Sequence, residues 1–399
     1  MSRMAAVAGR ACIVTALASA HIARPESVDD VRSLMHDAIV RREPLQICGA
    51  GTWRDAGPPL DAARNVSLAA LSGVIAYVPG DLTITVWAGT TLAELSNTTA
   101  AHGQWLGLDP AGDRDGTIGA TIATASSGPL AHAFGTPRDL VLGLDAVTGY
   151  GDVVRAGGRV VKNVAGFDLV RLYTGSWGTL GAITALTMRL RALPIHDVTL
   201  ALALDDDAQL TKVLATLRAN AISLLACELI DGRTALELQI ADGRDALLLR
   251  LGGNDAFIRG QRARLENAAS VTVCDAAAWS DVARLDRDAT AVVRISGAVS
   301  DLPSRVSRIR AMIRDSAVGD VALHASTFRG IVRIIASGDA SAVRTALTQS
   351  AVGEQRVVER LPSVWWREEA DPFDGALAGR IRDAFDPARL CNRRRTAHA

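Results

Sequence analysis

The stretch Val160–Thr184, VVKNVAGFDLVRLYTGSWGTLGAIT, is the most informative segment of this sequence. Its second half contains three closely spaced glycines, Gly175, Gly178 and Gly181, and leads into ITALTMRLRAL. The alternation of apolar and polar residues in that segment predicts a β-strand. Because glycine has no side chain, the stretch predicts a turn at which the backbone closely approaches a ligand before it enters a sheet.

A second glycine-rich run lies upstream, DPAGDRDGTIGATIATASSG, residues Asp109–Gly128. Its glycines are accompanied by Ala, Ser and Thr, so several backbone N–H groups can surround an anion such as a diphosphate. The alternative is a tight turn packed against a sheet, since glycine-rich loops are common.

Two further segments favour the phosphate interpretation. CGAGTWRDAG, Cys48–Gly57, follows a predicted strand and would form a second side of a diphosphate site. GTPRDLVLG, Gly135–Gly143, places Arg138 and Asp139 immediately before another strand. The sequence thus predicts several loops around one anionic ligand.

Together these motifs resemble the FAD-binding subunit of bacterial glycolate oxidase, within the vanillyl-alcohol-oxidase class of PCMH-type flavoproteins. The stretch KNVAGFDL followed by GSWGTLG carries the resemblance, with TIGA and RDLVLG in the family's order upstream. The resemblance covers Arg24–Pro194 and returns at AFDPARLCN, Ala384–Asn392. Arg393 and Arg394 replace the Pro-Gly that the family has after this segment, which puts that contact in doubt.

The resemblance implies non-covalent FAD and a set of cofactor-binding residues. These are Gly49, Ala50, Gly51, Thr52, Gly112, Gly116, Thr117, Ile118, Gly119, Ala120, Ser126, Gly128, Arg138, Asp139, Lys162, Gly178, Gly181 and Ile183. The first two loops would hold the diphosphate through main-chain donors, and the strand at Ile183 would bond the adenine end. The family more often has glycine at the position of Ala120, where a methyl group requires a negative φ.

The sequence allows two interpretations of several side chains. Lys162 would stabilise the reduced flavin or lie on the surface, and Asp168 would pair with Lys162 or Arg171 or cap a loop. Cys48 is interpreted as a buried thiol and not as a covalent flavin link. No residue is assigned as a catalytic acid or base.

The region after Pro194 alternates strands and helices in two similar rounds. We predict strands over ISLLACELI, TALELQI and DALLLRL and helices over DDAQLTKVLATLRAN and SAVRTALTQS, among others. The predicted fold is α+β: a two-subdomain PCMH-type FAD-binding domain over 1–194, an antiparallel ferredoxin-like cap over 195–361, and a segment over 362–399 that returns to the first domain.

The cap contains His324 and Arg329, and a basic residue that faces the flavin would suit a carboxylate substrate, although a lone strand histidine is more often structural. The H-x-G-D-G-N-x-H motif of the family's large catalytic relatives is absent. The resemblance implies a subunit that oxidises a 2-hydroxy acid such as glycolate, together with a second FAD subunit and an iron–sulfur subunit. The alternative is an FAD-binding assembly or electron-relay subunit.

Composition argues against other classes. Forty-three basic and forty-three acidic residues leave no net charge to attract nucleic acid, and five scattered cysteines lack metal-binding spacing, so no metal site is expected. No strand-G-x-G-x-x-G-helix unit supports a nicotinamide cofactor. The opening 20 residues superficially resemble a signal peptide interrupted by Arg10, and an N-terminal extension is preferred. We expect no membrane span and a cytoplasmic location, with any membrane association made through the complex.

Overall fold

The computed structural model describes residues 22–52, 64–158, 167–315, 320–338, 355–362, 365–366 and 375–392. Five parts of the sequence predictions lie outside these residues: the opening segment 1–20, residues 53–57 after the first predicted FAD loop, residues 160–166 with Lys162, the helix over residues 341–350, and Arg393 with Arg394.

Helices and strands alternate along the described chain. The helices are α1 Val28–Arg41, α2 Leu92–Ala100, α3 Ile118–Thr124, α4 Ala131–Phe134, α5 Pro137–Leu140, α6 Leu169–Tyr173, α7 Asp207–Ala219, α8 Gly232–Glu237, α9 Asp255–Ala268, α10 Ala277–Ala283, α11 Leu302–Asp315 and α12 Ala376–Phe385. The strands are β1 Ile22–Ala23, β2 Leu45–Cys48, β3 Arg64–Ser67, β4 Val74–Val78, β5 Thr83–Trp87, β6 Gln104–Trp105, β7 Val141–Thr148, β8 Val153–Gly157, β9 Gly181–Arg189, β10 Arg191–Ala192, β11 His196–Ala203, β12 Ala226–Ile230, β13 Ala246–Gly253, β14 Thr272–Cys274, β15 Ala291–Ser296, β16 Val321–Ser326, β17 Ile331–Ala336 and β18 Gln355–Arg360.

Two sheets dominate the N-terminal half. A small parallel sheet has the order β1-β3-β2, and an antiparallel sheet has the order β4-β5-β9-β7-β8. The strand predicted over ITALTMRLRAL is β9, which lies in the centre of the second sheet and is mostly buried. The Gly175–Gly181 turn therefore enters the sheet at its centre.

Helix starts follow the local sequence. The Ser27 side chain caps α1, and Thr91 with Glu94 forms the capping box of α2 that the T-x-x-E pattern predicts. The start of α3 is capped by Thr117, whose side chain accepts a hydrogen bond from the Ala120 amide. These caps fix where the loops between sheet and helix end.

The C-terminal half is built on an eight-stranded antiparallel sheet of order β14-β11-β13-β12-β16-β17-β15-β18. The strands predicted over ISLLACELI and DALLLRL are β12 and β13, and the helix predicted over DDAQLTKVLATLRAN is α7. The core is aliphatic and includes Leu200, Leu249, Val293 and Ile309, which are almost completely buried. The antiparallel α+β fold predicted for this half is confirmed.

Two strand predictions are wrong in detail. The segment TALELQI begins in helix α8, because Asp231 accepts a hydrogen bond from the Thr234 amide and caps a helix there. The alternating segment NVSLAAL, Asn65–Leu71, also predicts a strand. The strand ends at Ser67, whose hydroxyl accepts a hydrogen bond from the Ala69 amide as the chain enters a short 3₁₀ helix.

The C-terminal segment packs against the parallel sheet. The Leu45 amide donates to the Leu390 carbonyl at 2.8 Å, and the Asn392 amide donates to the Leu45 carbonyl at 3.0 Å. The Asn392 side chain also bonds the backbone of Ile47, at 2.6 Å and 3.1 Å. This segment therefore supports the strand that leads into the first predicted FAD loop.

The helices of the described residues fall short of membrane-spanning proportions. None of them has both the length and the apolar character needed to cross a bilayer.

Candidate functional site

The first and second predicted FAD loops touch each other. A β-carbon at Gly49 would lie 2.0 Å from Thr117 Oγ1, and one at Gly116 would lie 3.5 Å from Thr52 Oγ1. The Ser67 hydroxyl donates to the Gly49 carbonyl at 2.8 Å and holds the first loop in place. Two loops that are far apart in sequence thus form one surface.

Two backbone amides of the second loop are already engaged within the protein. The Ile118 amide donates to the Thr90 carbonyl at 2.9 Å, and the Gly119 amide donates to the Ala88 carbonyl at 2.8 Å. A β-carbon at Gly119 would lie 2.7 Å from the Ala88 side chain. Close packing therefore anchors this loop, and these two amides are not free to bind a diphosphate.

The methyl group of Ala120 is accommodated without strain. Ala120 lies inside α3, where φ is negative, so the condition set by the sequence is met.

The first loop has the free donors that a diphosphate needs. Among the described residues, the amides of Ala50, Gly51 and Thr52 have no hydrogen-bond acceptor. Beside Thr52 lies a narrow groove of about 10 Å³, whose lining includes the small residues Ala111, Gly116, Ala120 and Ser126. These residues fit the diphosphate of FAD. When bound, FAD supplies a flavin ring that accepts a hydride.

Other predicted cofactor residues lie in structural contacts. A β-carbon at Gly128 would meet the Asp109 carbonyl, one at Gly178 the Asn392 side-chain nitrogen, and one at Gly181 the Val147 carbonyl. The Ile183 side chain is buried in the core.

Asp139 has a local structural role. Its carboxylate accepts from the Thr136 amide and hydroxyl, both at 2.8 Å, at the start of α5. These hydrogen bonds lower the pKa of the Asp139 carboxyl. The predicted cofactor residue therefore stabilises the loop that carries Arg138.

The two interpretations of Asp168 can be compared directly. Its carboxylate accepts from the Arg171 amide at 3.0 Å at the start of α6, and it also forms an ion pair with the Arg171 guanidinium at 3.0 Å. Asp168 therefore serves as both helix cap and pairing partner of Arg171.

A cavity of about 370 Å³, here called the site cavity, lies between the two halves of the molecule. The N-terminal half lines it with residues around the end of α3, Thr124–Pro129, and with Arg138 and Trp177. The sheet of the C-terminal half lines it with Arg294, His324, Ser326, Ile331, Arg333, Val357 and Glu359, and Arg329 lies between β16 and β17. Ser126, Gly128 and Arg138 of the predicted set thus come together here.

Arg294 and Arg333 on the sheet side of the site cavity are paired with carboxylates. Arg294 and Arg333 both bond Glu359, with Nε-to-oxygen distances of 2.9 Å and 3.0 Å. Arg333 also bonds Asp286 at 2.7 Å. One glutamate therefore serves two arginines that line the cavity.

Arg329 differs from these arginines because it has no carboxylate partner among the described residues. Its guanidinium donates to the Gly128 carbonyl at 3.2 Å and to the Ser127 hydroxyl at 3.0 Å, both neutral groups. Burial lowers the pKa of Arg329, although nearby Glu228 opposes that shift. A partly buried guanidinium whose hydrogen-bond acceptors among the described residues are both neutral is suited to an anionic ligand.

The His324 ring lies against the buried carboxylate of Glu228. Its Nε2 lies 2.7 Å from Glu228 Oε2, which also accepts from the Ser326 hydroxyl at 2.8 Å. Both nitrogens of the ring are inaccessible to solvent, and neither makes a hydrogen bond within the described part of the chain. This arrangement favours the structural interpretation of His324 over direct contact with a substrate.

Asp109 lines the site cavity from the N-terminal half. Its carboxylate accepts from the Leu130 amide at 3.0 Å and 3.2 Å. Burial raises the pKa of Asp109 to about 7, against the opposing effect of the Leu130 amide. The group is therefore able to exchange a proton near neutral pH.

Sequence reasoning missed four ionisable residues of the site cavity: Asp109, Arg294, Arg333 and Glu359. Asp109 stands at the start of the glycine-rich run, next to Pro110, and that position is a signal that could have found it. The other three lie on ordinary alternating strands and carry no local signal.

Comparison with known proteins identifies the cofactor. Residues 19–157 match a family model described as FAD binding domain. This match to an FAD-binding domain confirms FAD, the cofactor inferred from the motifs.

Two curated relatives support the resemblance stated from the motifs. The glycolate oxidase subunit GlcE of Escherichia coli is 35% identical over 161 residues, covering 40% of this chain and 46% of the relative. The glycolate oxidase subunit GlcD of Bacillus subtilis is 30% identical over 171 residues, covering 43% of this chain and 36% of the relative. The chain spans less than half the length of each of these relatives.

A solved structure confirms the fold. The 4-ethylphenol oxidase from Gulosibacter chungangensis superposes with a TM-score of 0.71 at 15% identity, covering 93% of this chain and 88% of that one. At this identity the likeness shows the fold alone.

Proposed function

We propose that this chain is the FAD-binding subunit of a 2-hydroxy acid oxidoreductase of the glycolate oxidase kind. The observation that carries the proposal is Arg329, a cation without a carboxylate partner among the described residues, placed in the site cavity beside the loop that follows α3. A 2-hydroxy acid carries the carboxylate that such a guanidinium binds. The names of the relatives supply the same substrate class.

In this proposal one wall of the site cavity binds FAD and the other binds the substrate. The free amides of the first loop and the residues at the end of α3 hold and orient the FAD. Arg329 binds the substrate carboxylate, and the paired arginines Arg294 and Arg333 line the cavity beside it. Ser126, Gly128 and Arg138 of the predicted cofactor set line the same cavity.

Partner subunits are part of the proposal. The sequence contains no cluster-binding cysteine spacing, so onward electron transfer calls for a separate iron–sulfur subunit. The relatives are named as subunits, which supports a complex with a second FAD subunit.

A second candidate function is an FAD-binding electron-relay subunit that oxidises no substrate itself. The absence of the H-x-G-D-G-N-x-H motif from the sequence favours it. Steady-state assays with glycolate and an artificial electron acceptor separate the two functions. Turnover by the purified chain alone supports the oxidoreductase, and turnover that appears only after partner subunits are added supports the relay.

A further inference from the structure

We propose that Asp109 transfers protons between the site cavity and the solvent during turnover. This inference rests on the proposed function, because it assumes that a redox reaction takes place in the site cavity.

The position of Asp109 is the first argument. Asp109 lines the site cavity and also a second cavity of about 380 Å³, here called the side cavity. The side cavity lies between α2, the segment after β6, and α10, and its walls include Trp105 and Trp279. Asp109 is thus a titratable carboxyl on the wall that the two cavities share.

The side cavity offers a way to solvent that is separate from the site cavity. Arg114, Leu193 and Ser280 line it and are exposed on the protein surface. None of these three residues lines the site cavity or the groove assigned to the diphosphate. A proton that reaches Asp109 from the site cavity can therefore reach the solvent through the side cavity.

The chemistry requires such a path. Oxidation of a 2-hydroxy acid to a 2-oxo acid breaks one C–H bond and one O–H bond, forms the second C–O bond of the carbonyl, and yields two electrons and two protons. When the electrons pass from the flavin to an acceptor that takes electrons alone, both protons must reach the solvent. A carboxyl at the cavity wall is the ordinary group for such transfer.

The groups around Asp109 tune it for this exchange. Arg250 on β13 favours the ionised carboxylate, Glu228 on β12 disfavours it, and the Leu130 amide donates to it. Arg329 also acts on it electrostatically. With burial as the largest effect, the carboxyl has a pKa close to neutral pH.

The test measures proton release without relying on any substrate. The purified full-length chain with bound FAD is photoreduced anaerobically and mixed with ferricyanide, which takes single electrons and no protons. Flavin absorbance reports reoxidation, and a pH-indicator dye in weak buffer reports protons that reach the solvent. Asp109→Asn keeps an acceptor for the Leu130 amide but cannot titrate.

In the wild-type protein and in Asp109→Glu, we expect proton release to keep pace with reoxidation. In Asp109→Asn it should lag by at least about ten-fold, the scale of a lost general acid–base group, and added azide or formate should restore it. The control is Asp145→Asn, because Asp145 is a β7 carboxyl outside both cavities whose pKa is also raised by burial. Release by Asp109→Asn at the wild-type rate would overturn the proposal.

A second measurement covers the case in which Asp109→Asn loses its fold or its flavin. Aspartate carboxyl carbons of the wild-type protein are titrated by ¹³C NMR, and the signal that disappears in Asp109→Glu is assigned to Asp109. Titration near neutrality supports the proposal, and titration at the ordinary aspartate pH overturns it.

The same experiments separate this proposal from the proposed function. If proton release depends on Asp109 but no 2-hydroxy acid reduces the flavin, the substrate assignment is overturned and the proton-transfer role of Asp109 stands. If glycolate reduces the flavin and Asp109→Asn releases protons at the wild-type rate, the role of Asp109 is overturned and the substrate assignment stands.

Discussion

Gly49 and Thr117 are in such close contact that a β-carbon on Gly49 would lie 2.0 Å from Thr117 Oγ1. This contact fixes the loop after β2 against the start of α3, where the free amides of the first loop meet the groove of small residues. The relative position of the two loops therefore depends on the lack of a β-carbon at Gly49.

Gly49→Ala should lower both stability and FAD content. The added methyl group must displace Thr117, and overpacking of this kind costs about 1–3 kcal/mol. The flavin-to-protein absorbance ratio and urea denaturation measure the two effects. Gly80→Ala is the matched control, since a β-carbon there meets nothing within 4 Å. Unchanged flavin content in Gly49→Ala would refute the role given to this contact.

Arg329→Met should weaken substrate binding. A charge-assisted hydrogen bond contributes about 1.5–3 kcal/mol, so the dissociation constant of a 2-hydroxy acid should rise by about 10- to 150-fold. Titration of the oxidised flavin spectrum with a non-reducing carboxylate analogue measures it. Arg262→Gln is the control, because Arg262 forms a helix-surface pair with Glu266. Equal affinity in both variants would mean that the carboxylate lies elsewhere.

Asn392→Ala should destabilise the N-terminal half. The side chain bonds the backbone of Ile47 twice and the Trp177 carbonyl at 2.7 Å, and the residue adopts a φ of 42°, which alanine disfavours. We expect a loss of about 2–4 kcal/mol in the free energy of unfolding. Asn220→Ala removes one exposed side-chain bond at the end of α7 and should change stability by less than about 0.5 kcal/mol. A similar loss in both variants would contradict the anchoring role of Asn392.

Asp109 should make stability depend on pH in a defined direction. Its folded-state pKa of about 7 is higher than the unfolded value, so the folded protein binds the extra proton. This contribution is fully present below the unfolded pKa and is lost as pH rises through the folded pKa near 7. The loss is at most about 4 kcal/mol between roughly pH 4 and 8. In Asp109→Asn this part of the pH dependence should vanish in denaturation curves, and a constant difference in stability between the two proteins across that range would contradict the shift.

Local sequence signals predict the elements that they specify directly. The capping box of Thr91 and Glu94, the strand-to-loop turn at Cys48–Gly51 and the strand β9 each depend on neighbouring residues. The segment TALELQI is predicted wrongly because its alternating apolar residues match a strand, whereas the Asp231 cap that starts the helix acts earlier in the chain.

The candidate site can be predicted only in part, for a physical reason. The glycine-rich loops are continuous in sequence, and their chemistry is visible there. Arg329 reaches Ser127 across 202 residues, and Glu228 supports Ser326 across 98 residues, so neither contact leaves a local pattern. The elevated pKa of Asp109 likewise depends on burial by distant elements.

The most direct test of the proposed function is the flavin absorbance of the purified full-length chain when glycolate is added under anaerobic conditions. We expect an oxidised flavin spectrum that bleaches on addition, with a chromophore that acid precipitation releases into the supernatant. A flavin spectrum that stays oxidised with glycolate and with every other 2-hydroxy acid tested would contradict the proposed function.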